Sequence, residues 1–124
     1  MDIKGYQHYK QDSINTMTQG ELLLLVFDEL VKRLTLAELM LTKEDFPSFE
    51  AATDKSLEIV RYLDHTLDLN YAIGRDLHRI YDFICYDLSR IKTGRNRTEL
   101  ERVKKMAMEL RESFRQADKQ QGGK

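Results

Sequence analysis

Cysteine is almost missing from this chain: Cys85 is the only one in 124 residues. That excludes an intrachain disulfide and a multi-cysteine metal cluster, and it fits a reducing compartment. Proline occurs once, as Pro47, and glycine six times, three of them at Gly94, Gly122 and Gly123. So little turn material argues against a β-sandwich or barrel. No stretch approaches the roughly 20 apolar residues of a membrane span. Residues 1–10 hold no apolar run of signal-peptide length, which predicts a cytoplasmic protein without membrane insertion. Neither sign of charge is in excess: 20 Lys and Arg stand against 21 Asp and Glu, for a formal charge of −1. A general nucleic-acid or membrane-surface binder needs a concentrated basic face instead.

What is present is helical periodicity. The 41% hydrophobic and 33% charged content of 124 residues suits one domain burying about two thirds of its unfolded surface. Residues 18–41, TQGELLLLVFDELVKRLTLAELML, dominate the pattern. At about 100° per residue, Leu23, Val26, Phe27, Leu30, Leu34, Ala37 and Leu41 fall within roughly 60° of one line, a full core-facing stripe. The other side carries Asp28 and Lys32, as a solvated face should, but also Leu25, Leu36 and Leu39, flanked by Leu22 and Met40. This helix has more apolar surface than one interface needs.

Thr18 and Glu21 have the spacing of a capping box at its start, and Gly20 weakens its first turn. The helix is expected to end near Lys43, ahead of Pro47, which biases Phe46 away from helix. A second helix is expected from Ser48 or Phe49 to Leu69, on Ala52, Ser56, Ile59, Val60, Leu63 and Leu67, capped by Asp45 or Ser48. After a tight connection at Asn70 and Tyr71, a third carries Ile73, Leu77, Ile80, Ile84, Leu88 and Ile91, with Tyr81 at the stripe's edge and Gly94 as a left-handed stop. Thr98 and Glu101 match a second capping box, followed by Leu100, Val103, Ala107, Leu110, Phe114 and Ala117. The expected fold is an all-α, antiparallel up-down four-helix bundle over residues 18–118. Residues 1–17, with Tyr6, Tyr9, Ile14 and Met17, form a short cap segment in this reading, and 119–124 a fraying tail.

Chemistry is harder to find. His8, His65 and His78 are unpaired at helical spacing, and the Glu-x-x-His motif of di-iron bundles does not occur. A histidine phosphotransfer domain is also a four-helix bundle, but it carries a Lys and a small residue soon after its His. Arg79-Ile80-Tyr81 follows His78 and Thr66-Leu67-Asp68 follows His65. Cys85 has acidic neighbours that raise a thiol pKa, so it reads as a packing residue. Gly-rich phosphate loops and nucleophile elbows are missing. The basic stretch Arg90, Lys92, Arg95, Arg97, Arg102, Lys104 and Lys105 suits helix ends better than nucleic acid, and Glu99 and Glu101 dilute it. No catalytic residue, metal site or cofactor is expected. The remaining signal is the apolar surplus: Leu25, Leu36 and Leu39, with Tyr62, Leu69, Phe83, Tyr86 and Met108 outside the other stripes.

Several stretches, in order, resemble the FliS family of flagellar export chaperones. They are Tyr6-x-x-Tyr9; Thr16-Met17-Thr18-Gln19-Gly20-Glu21-Leu22, similar to T-A-S-P-G-E-L; Val26-Phe27-Asp28; Leu67-Asp68; Ile80-Tyr81-Asp82-Phe83-Ile84, like L-Y-D-Y-M; and Leu110-Arg111-x-x-Phe114, like L-R-x-x-W. Gln19, Glu29 and Phe114 stand where the family commonly has Pro, Gly and Trp, and the loop after Asp68 lacks its G-G-E. The resemblance implies a cytosolic, non-enzymatic helical bundle that binds the C-terminal region of flagellin, prevents premature polymerisation and assists secretion, with export-apparatus proteins as further partners. It maps the family's partner-binding tyrosine motif onto Tyr6 and Tyr9. The helical-wheel argument adds Leu25, Leu36 and Leu39 to the binding surface. A self-associating bundle acting as a homodimer is the alternative reading, and a phosphotransfer protein the third.

Overall fold

Four apolar stripes joined by short connections bury their faces together most simply as an up-down bundle, and the chain does so. The computed structural model describes residues 17–122. Among them are four helices and no strand: α1 (Gln19–Thr42), α2 (Phe46–His65), α3 (Ala72–Gly94) and α4 (Arg97–Gly122). The cap segment expected over residues 1–17 lies outside the described residues, apart from Met17. No described helix is long and apolar enough to cross a membrane.

The helix ends show why the elements begin and stop where they do. At Thr18 the expected cap forms: the Glu21 N–H donates to Thr18 Oγ1 at 3.1 Å, and that hydroxyl donates to the Glu21 carboxylate at 3.2 Å. α1 stops because Glu44 turns left-handed, with φ 58°. The Asp45 N–H then reaches back to the Met40 carbonyl at 2.9 Å. α2 opens at Phe46, earlier than expected, with Asp45 accepting the Ser48 N–H at 3.2 Å. Pro47 does not delay it, because first-turn N–H groups have no partner within a helix in any case. α2 ends at His65 rather than Leu69. The Thr66 hydroxyl closes its last turn on the Leu63 carbonyl at 2.6 Å, and Asp68 accepts the Asn70 N–H at 2.9 Å to build the connection.

The turn between α3 and α4 corrects two expectations. Gly94 stays helical and Arg95 takes the left-handed position, with φ 53° and ψ 41°. Its guanidinium stacks over the Phe46 ring, 3.6 Å from the centroid. Stacking of this kind offsets the steric cost of a left-handed side chain. The Thr98–Glu101 box is not used, because the Glu99 N–H already finds Asn96 Oδ1 at 3.1 Å and the helix is under way at Arg97.

Cross-helix pairs fix the antiparallel register. From α1 to α4, Glu38 meets Lys104 at 2.8 Å and Asp28 meets Arg111 at 3.3 Å, so one number falls as the other rises. The Phe27 and Phe114 rings lie 5.1 Å apart on the same seam. From α2 to α3, Asp54 pairs with Lys92 at 2.9 Å and Asp64 with His78 at 2.7 Å. α1 packs most extensively on α2 and then on α4, and the α3–α4 seam is the sparsest of the four.

The core is drawn from all four stripes. Phe27, Leu30, Leu34, Phe49, Val60, Leu63, Ile84, Leu88, Ile91, Leu100 and Val103 are essentially sealed from solvent. Tyr81, expected at an edge, is buried as well. Thr53 and Ser56 are buried without penalty, since their hydroxyls donate to the Phe49 and Ala52 carbonyls at 2.8 and 2.9 Å. Two stripes bury less than expected. Ile73, in the first turn of α3, is exposed. In α4, Leu110 and Phe114 are half-buried and Ala117 is exposed, although the helix continues past Lys119, where fraying was expected, to Gly122.

Candidate functional site

The apolar surplus stays outside the bundle. Leu25, Leu36, Leu39, Tyr62, Leu69, Phe83, Tyr86 and Met108 are all exposed. Leu25, Leu36 and Leu39 lie within about 40° of one line on α1, because eleven residues complete just over three turns and fourteen roughly four. Leu36 and Leu39 sit roughly 16 and 21 Å along the helix from Leu25.

Beside Leu25 the surface is concave. A groove of about 510 Å³ runs between α1 and α2, lined by Leu25, Val26 and Glu29 on one side and Lys55, Glu58, Ile59 and Tyr62 on the other. Val26 and Ile59 belong to the core stripes, so the groove floor is the edge of the core itself. Its charges are tied down laterally: Glu29 pairs with Arg33 at 2.8 Å and Lys55 with Glu58 at 3.3 Å. The result is an apolar trough with charged rims, the shape that accepts one face of an amphipathic helix.

A second hollow, about 190 Å³, lies at the end of the bundle where α1 begins. It is lined by Leu23, Leu67, Tyr71, Ile73, Leu77, Tyr81 and Phe114 among others. The sequence reading missed this place because it assigned Ile73 to the core. A first-turn residue next to a long connection has fewer neighbours to bury it, and that position was the available warning.

Of the five residues expected to bind a partner, Leu25 lines the α1–α2 groove. Leu36 and Leu39 share its helix face but do not line the groove. Tyr6 and Tyr9 lie outside the described residues. Tyr62, assigned only to the surplus, lines the same groove from α2.

No three His, Cys, Asp or Glu side chains among the described residues are placed to hold a metal ion. His78 Nδ1 lies 2.7 Å from Asp64 Oδ1, and this hydrogen bond, with the carboxylate's charge, raises the imidazole pKa above its ordinary 6.5. Burial pushes the Tyr81 hydroxyl up to about 12 and the Cys85 thiol above its usual value, so neither is an activated nucleophile.

Known proteins resemble this chain over most of its length. Residues 2–121 match the family model described as flagellar protein FliS. A flagellar secretion chaperone FliS of Bacillus subtilis (strain 168) is 26% identical over 112 residues, covering 90% of this chain and 84% of the relative. A solved structure described as a flagellar chaperone from bacteria superposes with a TM-score of 0.74 at 18% identity, covering 94% of this chain and 97% of the other.

Proposed function

The chain belongs to the FliS family of flagellar secretion chaperones, and on that premise we propose that it binds the C-terminal region of flagellin in the cytosol. Holding that segment would keep subunits from polymerising before export and present them for secretion. No bond is made or broken and no cofactor takes part. The observation that carries the reading is the apolar groove between α1 and α2, which Leu25 lines from α1 and Tyr62 from α2.

The physical exchange is simple. A disordered client segment loses chain entropy on ordering and regains free energy by burying apolar side chains along the trough. Leu36 and Leu39 extend the contact along α1, and Tyr6 and Tyr9 contribute from the N-terminal segment. Export-apparatus proteins are the next recipients of the complex.

Calorimetric titration with a peptide of the flagellin C-terminal region tests the proposal. Binding at micromolar concentration or tighter is expected, and its absence there overturns the reading. Leu25→Asp, which places a charge on the trough wall, is expected to weaken binding by at least tenfold, since burying a leucine is worth about 1.5–3 kcal/mol. The melting temperature should stay close to wild type, because Leu25 is 41% exposed in the free protein. A variant that binds normally removes Leu25 from the site. A protein that instead forms a concentration-dependent dimer through this face, with no peptide binding, supports self-association.

A further inference from the structure

One buried polar atom among the described residues has no partner: Oδ2 of Asp87, on a residue only 4% exposed. Asp87 sits on α3 where that helix faces the start of α4. The group it meets there is not a donor but a second carboxyl, that of Glu99. Glu99 occupies the first turn of α4, three residues after the Asn96 cap, and lies 3.3 Å from the Arg102 guanidinium. Glu99 thus lies beside two positive ends, the N-terminus of α4 and an arginine. Oδ2 of Asp87 has no hydrogen-bond donor within reach.

We propose that Asp87 and Glu99 share one proton, and that this proton closes the seam between α3 and α4. With the proton on Asp87, its hydroxyl donates to the Glu99 carboxylate and the buried atom is satisfied. Without it, two carboxylates face each other, one of them sealed from solvent. The seam is suited to respond, because it is the most sparsely packed in the bundle and carries an open groove at Ile80, Met106 and Leu110.

The charged groups acting on Asp87 are Glu99 and Arg102 from α4 and Arg90 from its own helix; none from α1 or α2 contributes among the described residues. Burial first, and then the Glu99 carboxyl, push Asp87 above its ordinary value of 3.8, while the two arginines pull the other way. A carboxyl whose pKa is raised on folding stabilises the fold fully below its unfolded value. That contribution is lost as pH rises through the raised value. The α3–α4 joint is therefore tight in acid and looser toward alkaline pH.

Carboxyl-carbon NMR titration of the intact protein reads the proton directly. Asp87 is expected to titrate clearly above the ordinary aspartate range, and Glu99→Gln, which supplies a permanent donor, is expected to bring that midpoint down. An ordinary midpoint overturns the proposal, and so does a raised one that Glu99→Gln leaves in place. Amide protection factors in the first turns of α4 should fall through the same pH range in wild type and stay level in Asp87→Asn. Level protection in wild type overturns the joint. Above the midpoint, Asp87→Asn should gain about tenfold in folding equilibrium constant for each pH unit by which the wild-type carboxyl is raised. Reading the difference between the two proteins removes the His78–Asp64 pair, whose pH dependence has the same sign. The seam lies apart from the α1–α2 groove, so this result and the flagellin result can fail separately.

Discussion

At the scale of single residues, the chain places two side chains where glycine is the usual choice, with different consequences. Glu44 and Arg95 both end helices at positive φ. Arg95 recovers the cost by covering Phe46, whereas Glu44 is exposed. Replacing Glu44 with Gly should stabilise the protein by up to about 1 kcal/mol, the left-handed penalty less the extra freedom of an unfolded glycine. The same change at Arg95 should gain nothing, because it also removes the stacked ring. Denaturant midpoints of the two variants decide this, and a gain at Arg95 would contradict it.

His78 provides a second test at this scale. Its bond to Asp64 raises the imidazole pKa, with Asp82 adding a smaller push. The stabilisation it gives is complete below pH 6.5 and disappears as pH rises through the raised value. Asp64→Asn should move the His78 titration, followed by proton NMR, back toward 6.5. An unchanged midpoint would show that the short contact carries no charge coupling.

Among the elements, the connection between α2 and α3 is the most demanding. Asp68 accepts from the Asn70 side of the turn through its carboxylate and from the Tyr71 N–H at 3.3 Å through its carbonyl. Arg75 donates to the Leu69 carbonyl at 2.9 Å. This folds the connection down onto the first turn of α3, where only Gly74 leaves room: a methyl group there would collide with the Asp68 backbone carbonyl. Gly74→Ala should therefore cost about 1–3 kcal/mol, against the gain an alanine ordinarily brings to a helix. Thermal unfolding measures it, and a stabilised variant would mean the turn is free to move. Gly20 differs, since its nearest obstacle is the side chain of Asp118, which can swing aside.

Much at the element scale could be read from the sequence, because helix interiors repeat. The stripes of α1 and α2 and the Thr18 cap follow from spacing and capping chemistry alone. What could not be read depended on the neighbouring helix. Gly94 has the composition of a stop, but Phe46 stands across from Arg95 and shifts the turn by one residue. Thr98 and Glu101 have capping-box spacing, yet Asn96 reaches the first free N–H before them. Ile73 has the right period and no partner at its end of the bundle.

For the whole molecule, the surplus apolar residues of the sequence are surface residues of the fold, and two of them, Leu25 and Tyr62, line a trough of the shape that one face of an amphipathic helix fills. Spacing put both Leu25 and Tyr62 in the apolar surplus but did not pair them, because pairing across a groove depends on the register between two helices. Resonance mapping of the complex with a flagellin C-terminal peptide tests this directly. Amides and methyls at Leu25, Val26, Ile59 and Tyr62 should shift most, with Leu36 and Leu39 following along α1. Shifts confined to α3 and α4, with the α1–α2 trough unchanged, would contradict the account.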